Sequence, residues 1–396
     1  MDFSYSPELE ALRQRTRDFV NTGVIPREPE LTADMTQIGK IRSELQEQAK
    51  AAGLFLPHMP TKYGGLGLSW TEIAVILEES GRSLLGAQAL NASAPDEGNM
   101  HLLSHVANPA QQKMFLEPLL TGETRSCFSM TEPPPGAGSD PSMLKSVARR
   151  KNGKWQLEAG KWFISGADGA AFTMILTRAF EGETDLGATI FLLPMDTPGI
   201  RLKRLIPTLD HFVPGGHCEL EFDGVEIGDE HVLGEVGKGF DYAQLRLDPA
   251  RLTHCMRWLG IAVRSMEIAQ RYALERQSFG KMLSEHQAIG WMVAESEIEI
   301  HAARLMIAQA CWKLDRGERV RHEASMTKVF VSETVNRVVD RALQICGSLG
   351  VSQDIPISQF YQEVRPFRIY DGATEVHKMS IARRLFRRAA GKTQND

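Results

Sequence analysis

Phe172-Thr173-Met174-Ile175-Leu176-Thr177, followed by Ile190-Phe191-Leu192-Leu193 and Cys218-Glu219-Leu220-Glu221-Phe222, decides the fold. These runs are short, rich in β-formers and bounded by Gly, Pro or Asp, as strands are. With Trp155-Gln156-Leu157-Glu158 they predict antiparallel strands from about Cys127 to Gly234, closed into a small barrel or sandwich.

The period changes on both sides of this segment. Upstream, apolar residues recur near every 3.6 positions. Ser6-Pro7 reads as an N-cap with proline at the first helical position. Ile38, Ile41, Leu45, Ala49 and Ala52 mark one face, and Gly53 stops that helix. Ser69-Trp70-Thr71-Glu72 is a capping box, and Asn108-Pro109 opens a further helix. Downstream of Gly239, one stripe runs Ile289, Met292, Val293, Ser296, Ile300, Ala303, Ile307, Ala310 and Leu314. A second runs Ala324, Val331, Val335, Val338, Ala342 and Ile345. Long stripes with short connections predict a helical bundle. The expected fold class is therefore α+β, with helices over residues 1–125, a central β-barrel over 126–235 and a four-helix bundle over 236–396.

Composition excludes several classes of function. A formal net charge of -5 gives no global basic field for nucleic acid. No apolar run is long enough for a bilayer. Met1-Asp2-Phe3-Ser4-Tyr5 lacks the pattern of a signal or transit peptide, so a cytoplasmic location is expected. The five cysteines are scattered and never spaced C-x-x-C, which fits buried thiols in a reducing compartment. The histidines show no tight ligand spacing, so no metal site is expected. No Walker loop and no G-x-G-x-x-G after a strand is present.

Chemistry gathers in three places. Arg368-Ile369-Tyr370-Asp371-Gly372-Ala373-Thr374-Glu375-Val376-His377 places a carboxylate before a glycine at the mouth of a predicted helix. Taken alone, Asp371-Gly372 is a common turn pair and reads as a cap. Its company reverses that reading. Arg276-Gln277-Ser278-Phe279-Gly280-Lys281 offers a guanidinium suited to phosphate, with Gly280 as a C-cap. Gln344-Ile345-Cys346-Gly347-Ser348 offers a turn that a ligand can approach closely. Met130-Thr131-Glu132-Pro133 supplies polar groups, which could equally cap their own turn.

These motifs, together with Tyr63-Gly64-Gly65-Leu66-Gly67, Lys161-Trp162-Phe163-Ile164-Ser165-Gly166 and Tyr272-Ala273-Leu274-Glu275-Arg276, resemble the acyl-CoA dehydrogenase superfamily over nearly the whole chain. The resemblance implies FAD as cofactor and an acyl-CoA substrate oxidised between Cα and Cβ, with Asp371 as the base. It implies FAD contacts from Met130, Thr131, Ser139, Phe163, Ile164, Ser165, Arg276, Ser278, Phe279, Gln287, Gln344, Gly347, Ser348, Ala373 and Glu375. Substrate contacts would come from Ser139, Asp248, Arg251, Tyr370 and Gly372. Because Arg276 and Gln344 would reach the cofactor of a neighbouring subunit, an obligate dimer or dimer of dimers is implied. An electron-transfer flavoprotein is the implied acceptor.

Two departures stand out. Glu132-Pro133-Pro134-Pro135-Gly136 carries two extra residues, so the loop near Ser139 is expected to shift. Asp371 replaces the usual Glu, shortening the reach by roughly 1.5 Å. In members that carry the base on another helix it precedes an Arg; here Ala250 stands at that place before Arg251. Thr253-His254-Cys255-Met256-Arg257 and Asp371-Gly372 look like the branch whose animal members carry a kinase-like domain, associated with long, branched or 4-hydroxylated chains. The rival chemistry is that of nitroalkane oxidase, which also uses an Asp. A DNA-binding relative is a third reading, for which Arg383, Arg384, Arg387, Arg388 and Lys392 form a basic run.

Overall fold

The computed structural model describes residues 4–31 and 35–391. Lys392 and the first three residues lie outside it. The N-terminal helices are α1 (Pro7–Phe19), α2 (Met35–Ala51), α3 (Trp70–Ser80), α4 (Gly86–Ala89), α5 (Asp96–Val106), α6 (Pro109–Gln111) and α7 (Glu117–Leu120). Their starts follow local chemistry. Ser6 Oγ accepts from the Leu9 N–H, and both Ser69 and Asn108 form reciprocal capping boxes.

The strands are β1 (Ser126–Ser129), β2 (Val147–Lys151), β3 (Lys154–Ser165), β4 (Phe172–Glu181), β5 (Thr184–Pro194), β6 (Ile200–Leu205) and β7 (His217–Ile227). They form one sheet, and the helix-plus-sheet class stands as expected. The pairing is mixed, however, rather than wholly antiparallel. β1 and β2 both run parallel to β4, at its first and second halves, while β5 lies antiparallel along it. The remaining ladders, β2–β3, β3–β7 and β7–β6, are antiparallel. The reason is visible in β4. Phe172, Met174 and Leu176 join the core shared with the helices, whereas Ile175 and Ala179 join a second core inside the sheet. A strand covered on both faces reads as a continuous apolar run, and such runs carry no information on pairing direction.

The C-terminal part holds α8 (Gly239–Glu275), a small hairpin of β8 (Gln277–Ser278) and β9 (Lys281–Met282), then α9 (Gln287–Asp315), α10 (Arg321–Val351), α11 (Ile357–Val364) and α12 (Thr374–Ala389). Gly280 is thus no helix cap. Phe279 and Gly280, at φ 51° and 80°, make the two-residue turn between β8 and β9. The predicted stripe of α9 is buried at Ser296, Ile300, Ala303, Ile307 and Ala310. Its outer face exposes Trp291, Ile298, Leu305 and Trp312, spaced seven residues apart. All five cysteines are buried and unpaired.

α8 is seated against α3 by two glycines. A Cβ on Gly260 would sit 2.2 Å from the Glu78 carbonyl oxygen, and one on Gly81 would sit 2.1 Å from that of Arg257. Neither backbone can yield cheaply. Gly260→Ala is therefore expected to cost about 1–3 kcal/mol in thermal unfolding, through overpacking alone.

Candidate active site

A cavity of about 1170 Å³ opens where the sheet, α8 and the residues before α12 converge. Its sheet wall presents Met130, Thr131, Trp162, Phe163 and Ser165, with Ser139 on the adjoining loop. The opposite wall presents Arg251, His254, Trp258, Tyr370, Asp371, Gly372 and Ala373.

The sheet wall is anchored from beneath by one buried ion pair. Glu132 Oε1 lies 3.0 Å from Lys161 Nζ, and both side chains are buried. The same carboxylate accepts from the backbone N–H groups of Ala137, Lys145 and Ser146, and from the Ser146 hydroxyl. Lys161 also donates to the carbonyls of Met130 and Leu176, at 3.1 and 2.7 Å. Burial alone would raise the Glu132 carboxyl; Lys161 and these donors hold it down to about 2. The extra prolines are absorbed on the far side. Pro133, Pro134 and Pro135 line a separate groove with Lys203 and Glu219, while Gly138 and Ser139 still reach the cavity.

Phe163 stands beside Trp162 with ring centroids 5.0 Å apart, so the wall offers two aromatic rings. The side chain of Ile164 turns into the sheet core at 1% exposure and can offer only backbone. Ser165 Oγ lies 2.9 Å from His217 Nδ1, and His217 Nε2 lies 2.8 Å from Asp210. These two partners were not legible in the sequence, because loop and strand meet only in three dimensions.

Asp371 occupies the opposite wall in a left-handed conformation, φ 52°, which Asp tolerates better than most residues. It is no helix cap, since that position falls to Ala373. Its carbonyl accepts from Arg251 Nε and lies 3.1 Å from His377 Nε2; the next carbonyl, of Gly372, accepts from Lys328 Nζ at 2.7 Å. Gly372 has φ 98°, and a Cβ there would come within 2.5 Å of His377 Nε2. Glycine is required by that approach. His254 Nε2 lies 3.2 Å from Asp371 Oδ2. Burial pushes the Asp371 carboxyl up, but His254, Arg246 and Arg251 together hold it well below the usual carboxylate range. Tyr370 is fixed by a 2.5 Å contact between its hydroxyl and Trp258 Nε1.

Other expected contacts do not gather here. Asp248 is off the cavity wall, paired to Arg251 at 2.6 Å, and the pair lies inside α8. Arg276, Phe279, Gln287, Gln344, Gly347, Ser348 and Glu375 are exposed and Ser278 half-buried, and none lines the cavity. Gly347 breaks α10 with φ 56° and ψ -133°. At about 1.5 Å per residue, roughly 35 Å of α10 separate Ser348 from Ser325, which does line the cavity.

The fold is that of the acyl-CoA dehydrogenases. Sequence profiles of the acyl-CoA dehydrogenase N-terminal, middle and C-terminal domains match residues 6–123, 127–225 and 237–386. A Mycobacterium tuberculosis protein named "Probable acyl-CoA dehydrogenase FadE2" is 34% identical, over 97% of this chain and 96% of its own. Acyl-CoA dehydrogenase family member 11 of Gallus gallus is 34% identical over 93% of this chain, which spans only 49% of that relative's length. A glutaryl-coenzyme A dehydrogenase solved with glutaryl-CoA superposes with a TM-score of 0.85 at 27% identity, covering 99% of this chain and 98% of its own. The chain belongs to the acyl-CoA dehydrogenase family.

Proposed function

We propose that the protein oxidises an acyl-CoA thioester to its trans-2-enoyl-CoA, with Asp371 removing the α-proton. The observation that carries this reading is the Asp371 carboxylate, whose backbone is held by Arg251 and which shares one cavity with a sheet wall of hydroxyls and aromatic rings. The donor set suits FAD. Thr131 offers a hydroxyl donor to a ring edge rich in acceptors, and Trp162 and Phe163 offer flat apolar cover. FAD held there would supply the acceptor for the hydride leaving Cβ. Asp371 takes the α-proton, so one proton and one hydride leave neighbouring carbons. The Asp371 N–H, engaged by no other group among the described residues, would hold the thioester oxygen. The glutaryl-CoA complex of a similar chain supports an acyl-CoA occupant.

Arg276, Ser278, Phe279, Gln287, Gln344, Gly347 and Ser348 would serve the FAD of a second copy, because they lie too far from their own cavity. The exposed row Trp291, Ile298, Leu305 and Trp312, with Phe279 at 94% exposure, fits such a subunit contact. A homodimer or dimer of dimers follows, with electrons passing to an electron-transfer flavoprotein. Ile298→Asp is expected to give a monomer in light scattering that loses most of its FAD. A demonstrably monomeric variant with full FAD would overturn the shared site.

The function is tested by anaerobic stopped-flow mixing with straight, branched and 4-hydroxyacyl-CoAs, set against nitroethane in air. Bleaching of the flavin by a thioester supports the reading. Turnover of nitroethane without any response to thioesters defeats it.

A further inference from the structure

His254 is a group that the proposed chemistry leaves without a role. It lies one turn beyond Ala250 and Arg251 on α8, lines the cavity and is largely buried. Its two ring nitrogens have different partners. Nδ1 lies 3.2 Å from Arg257 Nη2, and Nε2 lies 3.2 Å from Asp371 Oδ2. A guanidinium can only donate, so Nδ1 must be the accepting nitrogen. The proton of the neutral ring is thereby left on Nε2, the nitrogen 3.2 Å from the carboxylate. Arg257 is itself immobilised. Its Nη1 donates to the Ala92 carbonyl at 2.8 Å and meets Glu97 Oε2 at 3.3 Å, while Glu97 is bonded by the Thr253 hydroxyl. The ring is also flanked by Tyr370 and Phe367, at centroid distances of 4.9 and 6.0 Å.

We propose that His254 is a positioning residue for the base: Arg257 fixes its Nε2–H tautomer, and that N–H holds Asp371 Oδ2 so that Oδ1 alone meets the α-carbon. This inference rests on Asp371 being the base. The arrangement restricts the shorter side chain to one usable oxygen and one direction, which a proton transfer over a short reach requires. It also stabilises the anion before substrate arrives, so the base is ready across the neutral range. Oδ2 is occupied, and the histidine cannot take the abstracted proton at Nε2 while that nitrogen is already protonated. His254 therefore acts through Asp371 and not as a second base.

The titratable groups around Asp371 bear on any pH dependence. Arg246 and Arg251 face it from α8, Lys328 from α10 and His377 from the first turn of α12. Glu97 of α5 acts one step removed, through Arg257. The cations remain when His254 is changed, so the loss of one donor is isolated. A carboxylate that loses a hydrogen-bond donor becomes more basic, and its acid limb moves to higher pH.

The test uses the FAD-loaded holoenzyme and its His254→Leu and His254→Gln variants, with flavin reduction by one saturating acyl-CoA followed from acid to alkaline pH. His254→Leu is expected to raise the acid limb by about one pH unit and to slow reduction on the plateau by roughly 10-fold. His254→Gln, whose amide restores a donor at similar reach, returns the limb most of the way. A ¹⁵N-histidine correlation spectrum of the holoenzyme, assigned by difference from His254→Gln, is expected to show the Nε2–H tautomer without any turnover. An unmoved acid limb in both variants, or a His254 carrying its proton on Nδ1, overturns the proposal. Failure of the base assignment is separate: it shows as wild-type reduction by Asp371→Asn, whatever the His254 variants do.

Discussion

Asp371→Asn is expected to lower the rate of flavin reduction by acyl-CoA by roughly 10³- to 10⁴-fold while leaving FAD content and thioester binding intact. The amide fits the same space, and its oxygen can accept from His254 Nε2 in place of Oδ2. The main-chain bonds to Arg251 and Lys328, and the contact with His377, do not involve the side chain and should persist. Only the ability to take a proton is lost. Stopped-flow reduction measures the rate, and the perturbed flavin spectrum on adding an unreactive thioester measures binding. Reduction at the wild-type rate would remove Asp371 from the chemistry. Loss of FAD in the variant would mean instead that the carboxylate is structural.

The second large effect belongs to Lys161→Met. This change leaves the Glu132 carboxylate buried without its cation, and breaking such a pair typically costs about 3–5 kcal/mol. The loss would not stay local. Lys161 also ties the Met130 carbonyl, and Glu132 gathers three backbone N–H groups of the loop that carries Ser139. Lower thermal stability together with weakened FAD retention is the expected result, read by calorimetry and by the ratio of bound flavin to protein. Retention of both would show that the wall stands without its anchor. The pH dependence has a definite sign. With the carboxyl held near 2, this contribution is fully present above its unfolded value of about 4.3 and is lost as pH falls through the interval below.

The sequence alone carried the order of helices, strands and helices, and the capping residues Ser6, Ser69 and Asn108, because these depend on period and on partners three residues away. It also singled out Asp371-Gly372, Thr131 and Ser165, which do line one cavity. What it could not carry was anything set by approach between distant segments. The parallel pairing of β1 and β2 with β4 was hidden because a strand buried on both faces has no alternation to read. Gly280 looked like a cap, since a glycine after a helix fits both that role and a hairpin turn. The Glu132–Lys161 pair, the Ser165–His217–Asp210 chain and the Arg257–His254–Asp371 chain join residues up to 117 positions apart. Only packing of α8 against the segment before α12 gives His254 its meaning: a hydrogen bond acts over about 3 Å, and no spacing along a chain encodes that distance between separate elements.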